Sequence, residues 1–266
     1  MMTLALSRFD LSGKNALITG STRGIGRAIA EALIEAGARV VISSENAADT
    51  AEVAAQLGQP GIAADVTDDA ALGQLVDGTL SALGGLDILV CNAGITGKPG
   101  PFADADMDDY AAVMALNLRS QVVLCNLALP HIAARAKNSG AKDSGGGGAV
   151  VLMASLSGLR GNGRINAYAL SKAGVAQLAR NLAVEWGPRN VRVNAISPGF
   201  IATELSGPLL ADDAFMARRM AMTPLRRAGT PDEVAGAALF LASDAGGFVT
   251  GHNLVVDGGT LVSDGS

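Results

Sequence analysis

The chain predicts an α/β fold, a single domain built on a doubly wound parallel β-sheet of about seven strands flanked by helices. Three observations carry that expectation. Short apolar runs alternate with longer Ala-, Leu- and Glu-rich segments at helical spacing, which is the rhythm of repeated βαβ units. The runs are continuously apolar rather than alternating, as strands covered on both faces are. At 266 residues and 49% apolar, the chain is large enough for a substantial core.

The elements follow in order. "NALIT" at 15–19 is the first expected strand, and the helical pattern of Arg27–Ala36 comes after it. "RVVIS" at 39–43 and "GIAA" at 61–64 are the next two strands, followed by helix Ala70–Leu83 and strand "DILVC" at 87–91. "AVVLMA" at 149–154, "VRVNAI" at 191–196 and "NLVVD" at 253–257 complete the set. One stretch breaks the rhythm. "AKNSGAKDSGGGG" at 136–148 holds four consecutive glycines and nothing more apolar than alanine, so it predicts a flexible surface loop. The strands on either side continue one pattern, and 1–266 therefore reads as one domain.

A net charge of −5 lacks the basic surface that a nucleic acid or an anionic membrane calls for. The apolar stretch before Arg8 and Asp10 is too short for a signal-peptide core, and no run approaches the ~20 apolar residues of a membrane span. A cytoplasmic protein with neither partner is expected. Cys91 and Cys125 each fall within apolar segments and read as reduced core thiols. His131 and His252 have no neighbouring Cys or His, so no metal is implied.

Two stretches carry chemistry. The first strand runs into "ITGSTRGIGRAIAEAL", where Gly20, Gly24 and Gly26 permit a sharp turn and bring backbone amides close to an anion. A helix beginning near Gly24 turns its positive end the same way. The alternative is an ordinary glycine turn, and position directly after the first strand favours the dinucleotide loop. The second stretch is "NAYALSKAGVAQLARNLAVEW" at 166–186. At about 100° per residue, Tyr168, Lys172, Val175, Ala179, Leu182 and Trp186 share one helical stripe, which should be buried. An ammonium there is costly without a partner or a task.

"TGSTRGIG" at 19–26, "NAG" at 92–94, Asn117, Ser155, "YALSK" at 168–172 and "PG" at 198–199 stand in the order and spacing of the short-chain dehydrogenase/reductase family. The chain resembles that family over nearly its whole length and is similar to ketoreductases of the 3-oxoacyl-carrier-protein reductase kind. The resemblance implies a Rossmann fold and an NAD(P)-dependent oxidoreductase that moves a hydride between the nicotinamide and a ketone or secondary alcohol. It implies Asn117, Ser155, Tyr168 and Lys172 as catalytic residues, with Asn117 helping to hold a proton-relay water. The chemistry is consistent with those roles. An ammonium about 5 Å from a phenol, at an effective dielectric of ~20, favours the phenolate by roughly 3 kcal/mol. Ser155 follows an apolar run, so it stands at a strand's carboxyl end, where its hydroxyl can bond a substrate oxygen.

The resemblance also implies cofactor contacts at Gly20, Arg23, Gly24, Ile25 and Gly26, at Asp65 and Val66 beside adenine, and at Asn92, Ala93 and Gly94 beneath the adenosine ribose. Tyr168, Lys172, Pro198, Gly199, Ile201 and Thr203 would flank the nicotinamide. One departure is Cys91, where the family often has asparagine. The second strand ends "VVISSEN", placing Ser44 where a carboxylate would accept the ribose hydroxyls of NAD. With Arg23 able to reach a phosphate, NADP is preferred over NAD, although Glu45 would oppose it if it turned inward. Residues 204–226, rich in Leu and Met, resemble a substrate lid, and Leu156, Leu159 and Ile95 would make the pocket apolar. The last strand resembles the part of the family that forms homotetramers. The alternatives are a catalytically inactive NAD(P)-binding regulatory protein, opposed by the complete catalytic set, and a dehydratase or epimerase, opposed by the short chain.

Overall fold

Strands and helices alternate along the computed structural model, which describes residues 4–138 and 147–263. The first half comprises α1 (Leu4–Ser7), β1 (Asn15–Thr19), α2 (Gly24–Glu35), β2 (Arg39–Ser43), α3 (Ala47–Leu57), α4 (Asp69–Leu83) and β3 (Ile88–Cys91). The second comprises α5 (Met107–Met114), α6 (Ser120–Asn138), β4 (Gly148–Met153), α7 (Asn166–Trp186), β5 (Val191–Pro198), α8 (Gly207–Leu210), α9 (Asp213–Ala221), α10 (Pro231–Ala242) and β6 (Asn253–Val256). The glycine-rich segment expected as a loop lies mostly at 139–146, outside the described residues.

Six strands pair among the described residues, every pair parallel, in the order β2-β1-β3-β4-β5-β6. The expected strand at 61–64 is reduced to a single bridge, Gly61 to Ile42, on the outer edge of β2. Ile62 N and Ala64 N still donate to Ile42 O and Ser44 O, both at 2.9 Å. A run of Gly and Ala with one β-branched residue offers little pleated surface to pack, so the chain follows the edge without extending the sheet.

The sheet is covered on both faces. Leu17, Val41, Leu89, Val150, Leu152 and Val193 belong to one buried cluster with residues of α4, α6 and α7. Ala16, Ile18, Val40, Ile42, Val90, Val151 and Ile196 belong to a second with α2 and α10. Each buried aliphatic side chain contributes about 2 kcal/mol, which makes the sheet a rigid base for whatever its ends carry. The strand order reverses at β1, between β2 on one side and β3 on the other, and the carboxyl ends of β1 and β3 flank the crevice this leaves.

One helical stretch, Met107–Lys137, has 31 residues and a mean hydropathy of 1.4 in its most apolar window, so by length and composition it is long and apolar enough to cross a membrane. No such segment was expected. Its apolar side chains Leu124, Cys125, Ala128, Leu129 and Ile132 are buried in the core beneath the sheet.

Candidate active site

After β1 the chain turns at Gly20 (φ 63) and enters α2 at Gly24 (φ 54), both in the left-handed region that favours glycine. Gly26 faces back onto this turn. A Cβ there would stand 2.0 Å from Gly20 O and 2.5 Å from Asn92 Nδ2, so a larger residue would force helix and turn apart. Asn92 Nδ2 donates to Gly20 O at 2.9 Å and to Thr19 O at 3.2 Å. Thr19 Oγ1 accepts from Asn92 N at 3.1 Å and Ala93 N at 3.3 Å. These bonds lock the ends of β1 and β3 together at the point where strand order reverses.

The start of α2 has no side-chain cap from Arg23 and no carboxylate in its first turn. Its amides and the positive end of its dipole are therefore left to an external anion, and the glycine cradle beside them fits a dinucleotide pyrophosphate. Ile25 is half-buried and Arg23 is exposed, its side chain with no hydrogen bond or ion pair among the described residues. A cleft of about 240 Å³ is lined by Thr22, Arg23 and Arg27 together with Asp49, Glu52 and Gln56 of α3. Arg27 is held there by Glu31 at 2.9 Å and Gln56 at 3.1 Å.

Ser44 is buried, its hydroxyl 3.0 Å from Thr50 Oγ1 and 3.3 Å from Asn46 O, while Glu45 is exposed. Asp65 accepts from Thr67 N and Thr67 Oγ1 at 2.8 and 2.7 Å, and these bonds hold its carboxyl below the usual range. Val66 next to it is buried. On the far side of the crevice, Gly199 N donates to Val256 O at 2.9 Å, and a Cβ on Gly199 would meet Asp257 Cα at 2.7 Å. Beyond Pro198 and the buried Ile201, Thr203 reaches toward α2, its Cγ2 3.6 Å from where a Cβ on Gly24 would stand.

The catalytic candidates gather at the ends of β4 and α7. Ser155 lies two residues past β4, and its Oγ accepts from Ser157 N at 3.1 Å, opening the short turn Leu156–Gly158. That turn sits directly on α7: a Cβ on Gly158 would come 2.6 Å from Ala173 N. Ser155 is thereby held near Tyr168, close enough to act on its phenol. Lys172 is 3% exposed, its Nζ donating to Met153 O at 2.7 Å and lying 5.6 Å from the centroid of the Tyr168 ring.

Burial pushes the Tyr168 phenol above its ordinary value, with Ser155 pulling the other way, and burial brings Lys172 down to about 8. The lowering of Tyr168 by Lys172 that the spacing suggested is thus corrected. The ammonium is turned to the Met153 carbonyl, and burial dominates at the phenol.

Asn117 lies in a π-helical turn, Ala115–Arg119, between α5 and α6. Its Oδ1 accepts from Ile95 N at 2.8 Å, and its Nδ2 donates to Ile95 O at 2.8 Å and Ser171 Oγ at 3.1 Å. Ser171 Oγ in turn donates to Tyr168 O at 2.8 Å. Gly94 is close by, where a Cβ would stand 3.3 Å from Asn117 Oδ1 and 3.4 Å from Lys172 Nζ. Ser171 and the Met153 carbonyl are site members that the sequence did not reveal; a serine inside "YALSK" and a backbone oxygen give no signal. Cys91 and Cys125 are buried free thiols, and a hydrogen bond between them together with burial pushes Cys91 well up. Of the expected pocket residues, Leu159 and Ile95 are open to solvent, whereas Leu156 is buried.

A family model described as Enoyl-(Acyl carrier protein) reductase matches residues 20–260. The D-threitol dehydrogenase of Mycolicibacterium smegmatis is 38% identical over 259 residues, 96% of this chain and 95% of the relative. The 7alpha-hydroxysteroid dehydrogenase of Escherichia coli K12 is 38% identical over 254 residues, 94% of each chain. Among solved structures, a gluconate 5-dehydrogenase from Burkholderia cenocepacia in complex with NADP and tartrate superposes with a TM-score of 0.90 at 34% identity, covering 97% of this chain and 99% of that one.

Proposed function

The chain belongs to the short-chain dehydrogenase/reductase family, and from that premise we propose that Tyr168 is its proton-transfer group, with Ser155, Lys172 and Asn117 arranged around it. It is an NAD(P)-dependent oxidoreductase acting on carbonyl compounds and secondary alcohols. The observation that carries the assignment is the buried Lys172 ammonium, 5.6 Å from the centroid of the Tyr168 ring at the strand end where Ser155 stands. Gly20, Arg23–Gly26, Asn92–Gly94, Pro198, Gly199, Ile201 and Thr203 would hold the dinucleotide, which when bound would supply or accept the hydride.

Each residue then has a task. The Tyr168 hydroxyl, protonated at neutral pH as a phenol ordinarily is, hands its proton to the substrate oxygen during reduction and takes it back during oxidation. The Ser155 hydroxyl bonds the same oxygen and stabilises the charge that develops on it. Lys172 offsets the tyrosinate left behind. Asn117 ties Ile95 to α7 through Ser171 and so holds the phenol in place.

The cofactor is read as NADP in preference to NAD: Ser44 presents no carboxylate, and Arg23 stands exposed and unpaired at the cleft beside α2. Residues 204–226, which include α8, α9 and the exposed Leu205 and Leu209, are read as the substrate lid. A homotetramer is favoured by the exposure of Val184 and Phe248, which a second copy would cover. Two free thiols suit a cytoplasmic setting. Tyr168→Phe tests the assignment. It is expected to cut turnover by about a hundredfold or more while leaving cofactor Kd, measured by nicotinamide fluorescence, within a few-fold. A variant that keeps more than about a tenth of its turnover removes Tyr168 from the role.

A further inference from the structure

Phe200 lies two residues past the end of β5, and its ring meets that of Phe215 on α9 edge-on, centroids 5.5 Å apart. The Arg219 guanidinium, one helical turn further along α9, lies over the Phe200 ring at 5.8 Å. This packing sets Arg219 between the lid and the strand end that borders the site. Its Nε is buried with no hydrogen-bond partner, and its guanidinium forms no ion pair among the described residues. A buried, unpaired donor on a cation is costly and calls for an acceptor. Asp257 is the acidic group that bears on it, but both carboxylate oxygens are engaged, accepting from Gly259 N at 2.8 Å and Leu261 N at 2.6 Å.

The other charged group acting on Arg219 is Arg160, half-buried in the loop five residues past Ser155 and likewise without a partner among the described residues. Burial first, then repulsion by Arg160, brings Arg219 below its ordinary value, with Asp257 acting in the opposite direction. Arg160 and Arg219 thus belong to the segments that follow the carboxyl ends of the neighbouring strands β4 and β5, near enough for one charge to act on the other, and among the described residues no acceptor serves either side chain.

We propose that this enzyme's substrate carries a carboxylate, held between Arg219 of α9 and Arg160 of the loop after Ser155, at the end of the molecule away from the reacting carbon. The proposal rests on the oxidoreductase reading of the same site. A carboxylate matches the planar donor fork of arginine with two acceptor oxygens. With Asp257 close by, the two cations leave one positive charge over, which suits a monoanion better than a phosphate dianion. Because Arg219 sits on the lid segment and Arg160 beside Ser155, the substrate anion would also draw the lid onto the site.

Matched pairs of ketones test this: 4-oxocyclohexanecarboxylate and 5-oxohexanoate, each against its methyl ester, together with cyclohexanone and 2-heptanone, using NADPH and NADH. The acids are expected to exceed their esters in kcat/KM by about tenfold or more. Arg219→Gln and Arg160→Gln are each expected to collapse that preference through the KM of the acid, and Arg219→Lys to keep part of it. Melting curves show whether each variant folds. Should Arg219→Gln fail to fold, Arg160→Gln in the loop carries the test. Esters used as well as acids, an acid preference that survives both substitutions, or turnover of neutral ketones alone overturns the proposal. Turnover of no ketone at all overturns the oxidoreductase reading beneath it.

Discussion

Lys172 is 3% exposed, has one carbonyl partner at 2.7 Å, and is brought down to about 8 by burial. An ammonium on the buried face of the 166–186 stripe has a thermodynamic consequence. Between pH 8 and the ordinary lysine value, the unfolded chain binds a proton that the folded chain does not, so stability rises with pH across that window. Below pH 8 the buried charge costs about 3 kcal/mol. Lys172→Met removes this cost together with the Met153 bond. The expected outcome is that wild type gains on the variant between pH 8 and about 10.5, by up to about 3 kcal/mol in urea melts, while turnover of the variant collapses. A stability difference that stays constant with pH would mean the folded Lys172 titrates normally. At this scale Tyr168, Lys172 and Ser155 were legible because their chemistry is unusual for their positions. Ser171, Arg160 and Arg219 were not, since their significance lies in what they face or fail to face.

The turn Leu156–Gly158 positions Ser155 by lying on α7, and Gly158 is the contact point. A methyl group there would stand 2.6 Å from Ala173 N and 2.7 Å from Lys172 C, both backbone atoms of a packed helix. Gly158→Ala therefore has to lift the turn, parting Ser155 from Tyr168 while leaving the β1–α2 cradle untouched. The expected outcome is a loss of about tenfold or more in kcat with cofactor Kd held within a few-fold, and a melt lowered by about 1–3 kcal/mol. An unchanged kcat would mean that the turn does not set the Ser155 position.

Most elements were legible for a physical reason: a strand buried on both faces writes itself as an unbroken apolar run, and the stripe at 166–186 as a helix. The run at 61–64 misled because apolar content alone does not decide whether an edge segment pairs along its length, and Gly61 with two alanines gives the sheet little to hold. The π turn at Ala115–Arg119 was hidden for the opposite reason. It adds a residue inside a continuous helix without any breaker in the sequence, and it is this turn that carries Asn117.

The two halves of the chain are bound into one body, with Ile29 and Leu33 of α2 sharing a buried cluster with Val234, Ala238 and Leu241 of α10. Arg192 of β5 reinforces the second half from inside, donating to Leu241 O at 2.6 Å, Gly246 O at 3.0 Å and Ser243 O at 3.1 Å. Thr203 of the second half comes up against Gly24 in the Gly20–Gly26 turn of the first, so a dinucleotide bound as proposed would stabilise the chain as a unit. A ligand at about a hundred times its Kd adds about 2.7 kcal/mol. For a chain of this size that raises Tm by roughly 5–10 °C. The expected melt is a single transition that NADPH shifts as a whole, that NADH at equal concentration shifts less, and whose NADPH advantage disappears in Arg23→Ala. Two transitions moving separately would divide the chain into two units. An NADPH advantage that survives Arg23→Ala would place the 2′-phosphate elsewhere. A larger shift with NADH would mean that Glu45, exposed beside the buried Ser44, turns in to take the ribose hydroxyls.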